Sequence, residues 1–373
     1  MGTRRFRPPM RSRMNTHRRR AFELHQVSRR KPSAYHANPC GLQRPTWNLE
    51  TMNVQPAVAD FLDHCRSRKA LSPNTLRAYQ MDLADFVTFV SPHTAIADIG
   101  TQTIKHFLDH LLSERALKPA TVKRRLACLK LFFLWLEDLG EISRTPLYRF
   151  DDPVRLPATA PDRLTRAELL KLVAYCRTRL DLPARDPLAP RHLDCLRAHP
   201  NFVDFTAYLA LELLSATGMR VSELINVTPA DLDAEACTVA IRGKGHRERT
   251  VPLPRDPLVD VLLPAYLART ERLGHPATPI LINTRGAPAS AHFIRKLLHQ
   301  AGRGAGFARP VTPLTIRHTT GALLLEDGVD IRIVQRLLGH GAITTTENYS
   351  TLSSDDIRSA MAKCYALNEE RAA

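Results

Sequence analysis

A run of helix- and strand-breaking residues near the middle of the chain most constrains what it can fold into. Pro146, Pro153, Pro157 and Pro161 all fall between Thr145 and Asp162. Each proline fixes φ and lacks a backbone N–H, so neither a helix nor an interior strand passes through such a stretch. The chain therefore reads as two separately packed bodies joined by a linker at 151–163. With 373 residues and 44% hydrophobic content, it is long enough for both to have substantial cores.

The first body, 53–150, has a helical period throughout. In Leu71-Ser72-Pro73-Asn74-Thr75, Ser72 suits an N-cap and Pro73 the first helical position. The helix that follows carries Leu76, Tyr79, Leu83 and Phe86 along one stripe. A second start at Leu117-Lys118-Pro119 leads a helix with Val122, Leu126, Leu129, Phe133 and Leu136 inward and Gly140 as its stop. Lys123, Arg124 and Arg125 lie just inside this second helix.

The formal net charge is +16, which suits a polyanionic partner. Its distribution is uneven: the first fifty residues hold twelve Lys/Arg against Glu23 and Glu50. Residues 1–52 otherwise show little periodic apolar content and read as a disordered basic tail. Two readings stay open there, a basic arm making non-specific phosphate contacts and a true start at Met52. The seven cysteines are scattered without C-x-x-C spacing. They imply no disulfide framework and no zinc site, and fit free thiols in a reducing cytoplasm. The longest apolar run, Leu131 to Leu136, is too short to cross a bilayer.

The second body, 164–373, opens with Thr165 as cap and Glu168 three residues on, a capping-box pattern. Between Thr178 and Phe202 lies a Pro/Arg/Asp-rich insertion with room for a short helix around His192 to Arg197. An apolar helix from Phe205 to Leu214 is broken by Thr217-Gly218, placing Arg220 at the start of the next helix with Glu223 three residues on. Cys237 to Ile241 alternates as a short strand, and Arg249 to Leu253 returns. Two glycines around Lys244 make the tip of this hairpin. A helix from about Thr315 to Glu326, capped by Thr315 or Thr312, carries Arg317 in its first turn. Asp330 caps a further short helix, and Gly339 stops it just ahead of His340. The fold expected is mainly α: an all-helical first domain, then a mixed domain with a small antiparallel sheet.

Arg220, Arg317, His340 and Tyr349 are together suited to hold one phosphate diester and attack it. Arginine presents a planar fork of permanent donors to phosphate oxygens. Tyrosine, of pKa near 10, becomes a nucleophile only where cations favour its anion.

At Ala216-Thr217-Gly218-Met219-Arg220, Ile316-Arg317-His318, Leu338-Gly339-His340 and Tyr349, the chain resembles the tyrosine recombinase (phage integrase) family. The resemblance runs from about Val54 to Tyr365. It implies a site-specific recombinase cutting and rejoining double-stranded DNA. In that role Arg220 and Arg317 grip the non-bridging oxygens, His340 adds a hydrogen bond, and Tyr349 attacks to form a 3′-phosphotyrosyl link. Lys244, on the hairpin where the family carries its general acid, protonates the departing 5′ oxygen. Bond energy is kept in the phosphotyrosine, so neither metal nor other cofactor is implied. Glu223 and His318 stand next to the site. Arg77, Lys123, Arg124, Arg125, Arg242 and Arg247 are expected to face DNA phosphates.

The resemblance also implies a soluble cytoplasmic protein, monomeric until four copies synapse DNA and exchange a C-terminal helix. One position departs from the pattern. Where the family's His-x-x-Arg box has its first histidine, this chain has Leu314. That keeps open a DNA-binding relative with impaired chemistry, and beside it a type IB topoisomerase-like activity.

Overall fold

The structure is a computed structural model and describes residues 52–68, 71–156, 162–184, 188, 191–243, 248–272, 274 and 279–339. The readings made above for the tail before residue 52 and for everything after Gly339 lie outside the described residues. The chain divides into two compact units at Pro157.

The first unit contains α1 (Val54–Ser67), α2 (Pro73–Val90), α3 (Thr101–Asp109) and α4 (Pro119–Leu139). Local chemistry sets their ends. The Ser72 hydroxyl accepts from the Thr75 N–H at 3.2 Å, with Pro73 opening α2. Gly140 stops α4 at φ +79°. Val122, Leu126, Leu129, Phe133 and Leu136 of α4 are all buried, as is Phe86 of α2. The core is largely aromatic: Phe61 meets Phe132 edge-on at 5.5 Å, and Phe86 meets Phe107 likewise at 5.1 Å. Burying each such ring contributes about 1.5–3 kcal/mol before entropy is counted, so these contacts dominate the unit's stability.

The second unit is built around one buried helix. Its helices are α5 (Arg166–Thr178), α6 (His192–Ala198), α7 (Phe202–Thr217), α8 (Val221–Leu224), α9 (Leu263–Arg272), α10 (Ala291–Gly304), α11 (Pro313–Glu326) and α12 (Ile331–Leu338). Every residue of α7 from Phe205 to Thr217 is buried. A helix buried all round demands cover on every side, and α5, α10 and α11 supply much of it. The capping box at the start of α5 is present, with Thr165 and Glu168 bonded reciprocally. The insertion does carry a helix, α6.

A three-stranded antiparallel sheet, β1 (Leu232–Asp233), β2 (Thr238–Arg242) and β3 (Glu248–Pro252), stands beside this bundle in the order β1-β2-β3. The sequence pattern missed β1, whose two residues are too few to show alternation. It also began the second strand one residue early: Cys237 takes φ +50°, which makes it a turn residue. The register pairs Val239 with Val251 and Ile241 with Arg249. Both valines and Ile241 are buried. Cross-strand partners share a face, so Arg249 occupies the sheet's inward phase. Helix α11 begins at Pro313 rather than Thr315, because Thr312 is the cap and its hydroxyl accepts from the Thr315 N–H at 3.1 Å.

Candidate active site

Three chain turns meet in the second unit, the last of them the C-terminal end of α12; the first two each contribute an arginine, and strand β3 contributes a third. The first turn ends α7. Gly218 there adopts φ +58°, a conformation that favours glycine, and a Cβ in its place would lie 2.3 Å from the end of the Leu338 side chain and force it to shift. Two residues on, Arg220 sits in extended conformation as the N-cap of α8. Its backbone N–H donates to Glu223 Oε2 at 2.8 Å and its Nη1 donates to Oε1 at 3.0 Å. The acid of the first helical turn thereby fixes the guanidinium while leaving its side chain 46% exposed.

Glu223 is buried, and a buried carboxylate is costly unless fully paired. Its second partner is Arg249, which donates from Nη1 to Oε1 at 3.2 Å and from Nη2 to Oε2 at 2.8 Å. Burial alone would push this carboxyl up. The hydrogen bonds from Arg249 and from the Arg220 backbone outweigh burial and hold it below the usual carboxylate value.

The second turn opens α11. Arg317 is only 5% exposed. Its Nη1 donates to the Gly218 carbonyl and its Nη2 to the Leu338 carbonyl, both at 2.6 Å. Burial, and then the neighbouring positive charge of Arg220, lower its pKa to about 10, so it remains a cation at neutral pH.

The third turn is the end of α12, stopped by Gly339 at φ +66°. The last carbonyls of a helix have no partner within it and carry the negative end of its dipole. Here the carbonyls of Leu337, Leu338 and Gly339 accept, in order, from Arg249 Nε at 2.7 Å, Arg317 Nη2 at 2.6 Å and Arg220 Nη2 at 3.2 Å. Three guanidinium groups against one carboxylate leave an excess of positive charge immediately ahead of His340. Such a preorganised cluster suits an anion with several oxygens.

Lys244, Arg247, His340 and Tyr349 lie outside the described residues. Leu314 is on the first turn of α11 and 58% exposed, and His318 beside Arg317 is half-buried. Arg242 is exposed, and its partners are Asp231 at 2.6 Å and Glu248 at 3.4 Å rather than the arginine cluster. The residue that sequence reasoning missed is Arg249. Its signal was available: a charged side chain in the inward phase of β3, in step with Val251.

In the first unit, Arg77 is exposed and donates to Asn74 at 3.2 Å. Lys123 lies 3.7 Å from Asp152. Arg124 is half-exposed and pairs with Asp82. Arg125 is turned inward instead of joining a phosphate-facing surface. It is 7% exposed and held by Asp85 and, at 3.6 Å, Asp82. The reason is helical phase: position 125 is three residues past Val122 and four before Leu129, on the buried stripe.

Comparison with known proteins identifies the family. The phage integrase family matches residues 163–355, and the N-terminal SAM-like domain of phage integrases matches residues 58–140. The tyrosine recombinase XerC of Thermodesulfovibrio yellowstonii is 30% identical, covering 85% of this chain and 99% of its own length. The tyrosine recombinase XerD of Bradyrhizobium diazoefficiens is 32% identical, covering 86% of this chain and 100% of its own. A lambda integrase tetramer bound to a Holliday junction has a similar fold, with TM-score 0.60 at 20% identity over 79% of this chain and 76% of that one. The Tn1549 transposon integrase in complex with transposon right end DNA gives 0.58 at 21% identity, over 84% and 99% respectively. This chain belongs to the phage integrase family of tyrosine recombinases.

Proposed function

We propose that the chain recombines double-stranded DNA at specific sites by two successive transesterifications. The observation that carries this reading is the convergence of Arg220 and Arg317 on the end of α12, at the two residues before His340. In the proposed reaction both guanidinium groups bind non-bridging oxygens of the scissile phosphate and stabilise the charge that builds there. His340 donates a third hydrogen bond. The Tyr349 oxygen attacks phosphorus, the bond to the 5′ oxygen breaks, and Lys244 supplies the proton that oxygen takes up. A 5′ hydroxyl of the partner duplex then attacks the 3′-phosphotyrosine and releases the tyrosine. Tyrosine and lysine carry the nucleophile and proton, so these steps call on no cofactor.

The proposed partner is duplex DNA, gripped by the first unit through Arg77, Lys123 and Arg124 and by the second through Arg242 and Arg247. The proposed assembly is a monomer free in the cytoplasm and a homotetramer on synapsed sites, as in the lambda integrase tetramer. Among the described residues no helix is long and apolar enough to cross a membrane.

The test is covalent capture. Purified protein is mixed with DNA fragments flanking its own gene, stopped in detergent, and the protein-linked ends are sequenced. A nicked duplex built on the recovered site then accumulates a 3′-linked adduct with wild type and none with Tyr349→Phe. Tight binding without an adduct sinks the reading, and relaxation of plasmids lacking the site replaces it with a topoisomerase.

A further inference from the structure

Arg249 is the one arginine of the cluster that has no place in the reaction just described. Its position is set by register: it faces Ile241 across the hairpin, on the sheet's buried side, and its side chain is only 14% exposed. All three of its nitrogens are engaged with protein, Nε on the Leu337 carbonyl and both Nη atoms on Glu223. The fit is tight enough that a Cβ on Gly339 would lie 2.9 Å from Nη1. One guanidinium therefore ties the hairpin, the first turn of α8 and the last turn of α12 together. In the proposed reaction these elements lead respectively to Lys244, Arg220 and His340.

The carboxylate between them shows what the tie accomplishes. Glu223 accepts two hydrogen bonds on each oxygen: from the side chains of Arg220 and Arg249 on Oε1, and from the Arg220 N–H and Arg249 on Oε2. A carboxylate accepts about four, so this one is saturated. Without Arg249, two acceptor sites and an uncompensated buried charge would draw the Arg220 guanidinium inward into a full ion pair, away from an incoming phosphate. We propose that Arg249 is a positioning residue for the transesterification: it saturates Glu223, so that Arg220 is oriented without being neutralised. It also pins the end of α12 against the hairpin that carries the general acid. The proposal rests on the reading of the site given above.

The experiment uses the full chain, the nicked duplex carrying its recovered site, and a second duplex with a neutral methylphosphonate at the scissile position. Arg249→Gln is compared with wild type and with Glu223→Gln/Arg249→Gln, which removes the buried carboxylate together with this partner. On the phosphate duplex, Arg249→Gln slows adduct formation about 100-fold, the usual cost of an ångström-scale misplacement, while duplex affinity stays within about threefold. On the methylphosphonate the loss shrinks to under about threefold, because one anionic oxygen that Arg220 serves is gone. The double variant folds and is no slower than Arg249→Gln alone, since both changes act through one contact. An equal loss on both duplexes accompanied by a lowered melting temperature assigns Arg249 a purely structural role and overturns the proposal, as does a wild-type rate in Arg249→Gln. A wild type that forms no adduct overturns the functional reading itself and this inference with it, so the two failures are told apart.

Discussion

Arg317 donates to the carbonyl of Leu338 at 2.6 Å, and its other Nη donates to the carbonyl of Gly218 at the same distance. The same two residues touch directly: Gly218 has no Cβ where the Leu338 side chain passes, 2.3 Å from where one would stand. A methyl group at residue 218 would therefore push on the side chain of a residue whose carbonyl seats the arginine.

Gly218→Ala is expected to cost about 2–4 kcal/mol, combining overpacking with the left-handed conformation imposed on alanine. In a Leu338→Ala background the overpacking vanishes, and the same change costs only about 1 kcal/mol. Urea unfolding of the four variants checks both numbers. Equal costs in the two backgrounds would show that α7 and α12 do not meet through this pair.

Glu223 predicts an acid limb to stability. Its folded-state pKa lies below the ordinary value of 4.5, so around and below that pH the unfolded chain binds the extra proton. Stability therefore rises with pH through this window, is fully present above it, and is lost as pH falls through the folded-state value. Glu223→Gln removes the effect at its source. The wild-type advantage over the variant, measured by urea unfolding, should be constant near neutrality and close as pH drops below 4.5. A gap that stays open at acid pH would mean that the carboxylate is not held down by its arginines.

Much of this architecture was legible because its signals are local. Ser72, Thr165, Asp330, Gly140 and Gly339 each start or stop a helix through contacts within a few residues, and all act as their residue types suggest. Arg220 and Arg317 stood out for a similar reason, each following a recognisable break or cap. Arg249 did not, because its meaning depends on strand register and on a helix end 88 residues away. Arg125 was visible in the wrong way. Grouped with Lys123 and Arg124 it reads as basic surface, whereas its phase relative to Val122 and Leu129 assigns it to the core side. Charge drew attention where periodicity held the answer.

Leu314 offers a gain-of-function prediction. It stands one turn before Arg317 on α11 and is 58% exposed. In the proposed reaction a leucine there offers the phosphate no donor and gives the tyrosine no help in losing its proton. Leu314→His places an imidazole at the position where the sequence resemblance implies one. Adduct formation is expected to quicken by about 10-fold, the lower end of what a placed acid–base group supplies, with stability nearly unchanged at so exposed a site. An unchanged rate would show that another group already fills the role.

The first unit separates contact from structure between two arginines. Arg77 is exposed and, among the described residues, bonded to Asn74, so Arg77→Ala should weaken duplex binding similarly for all sequences and reduce the salt slope by about one counterion. Arg125→Ala removes the cation between Asp82 and Asp85 and leaves the buried Asp82 with Arg124. Losing a charged hydrogen bond and the packing of a buried side chain costs about 1–3 kcal/mol, so this variant should lose stability first. Titrations of cognate and unrelated duplex at several salt concentrations, beside melting curves, distinguish the two. If Arg125→Ala melts like wild type yet binds with a reduced salt slope, its side chain faces phosphate after all, and the inward assignment of that helical position is wrong.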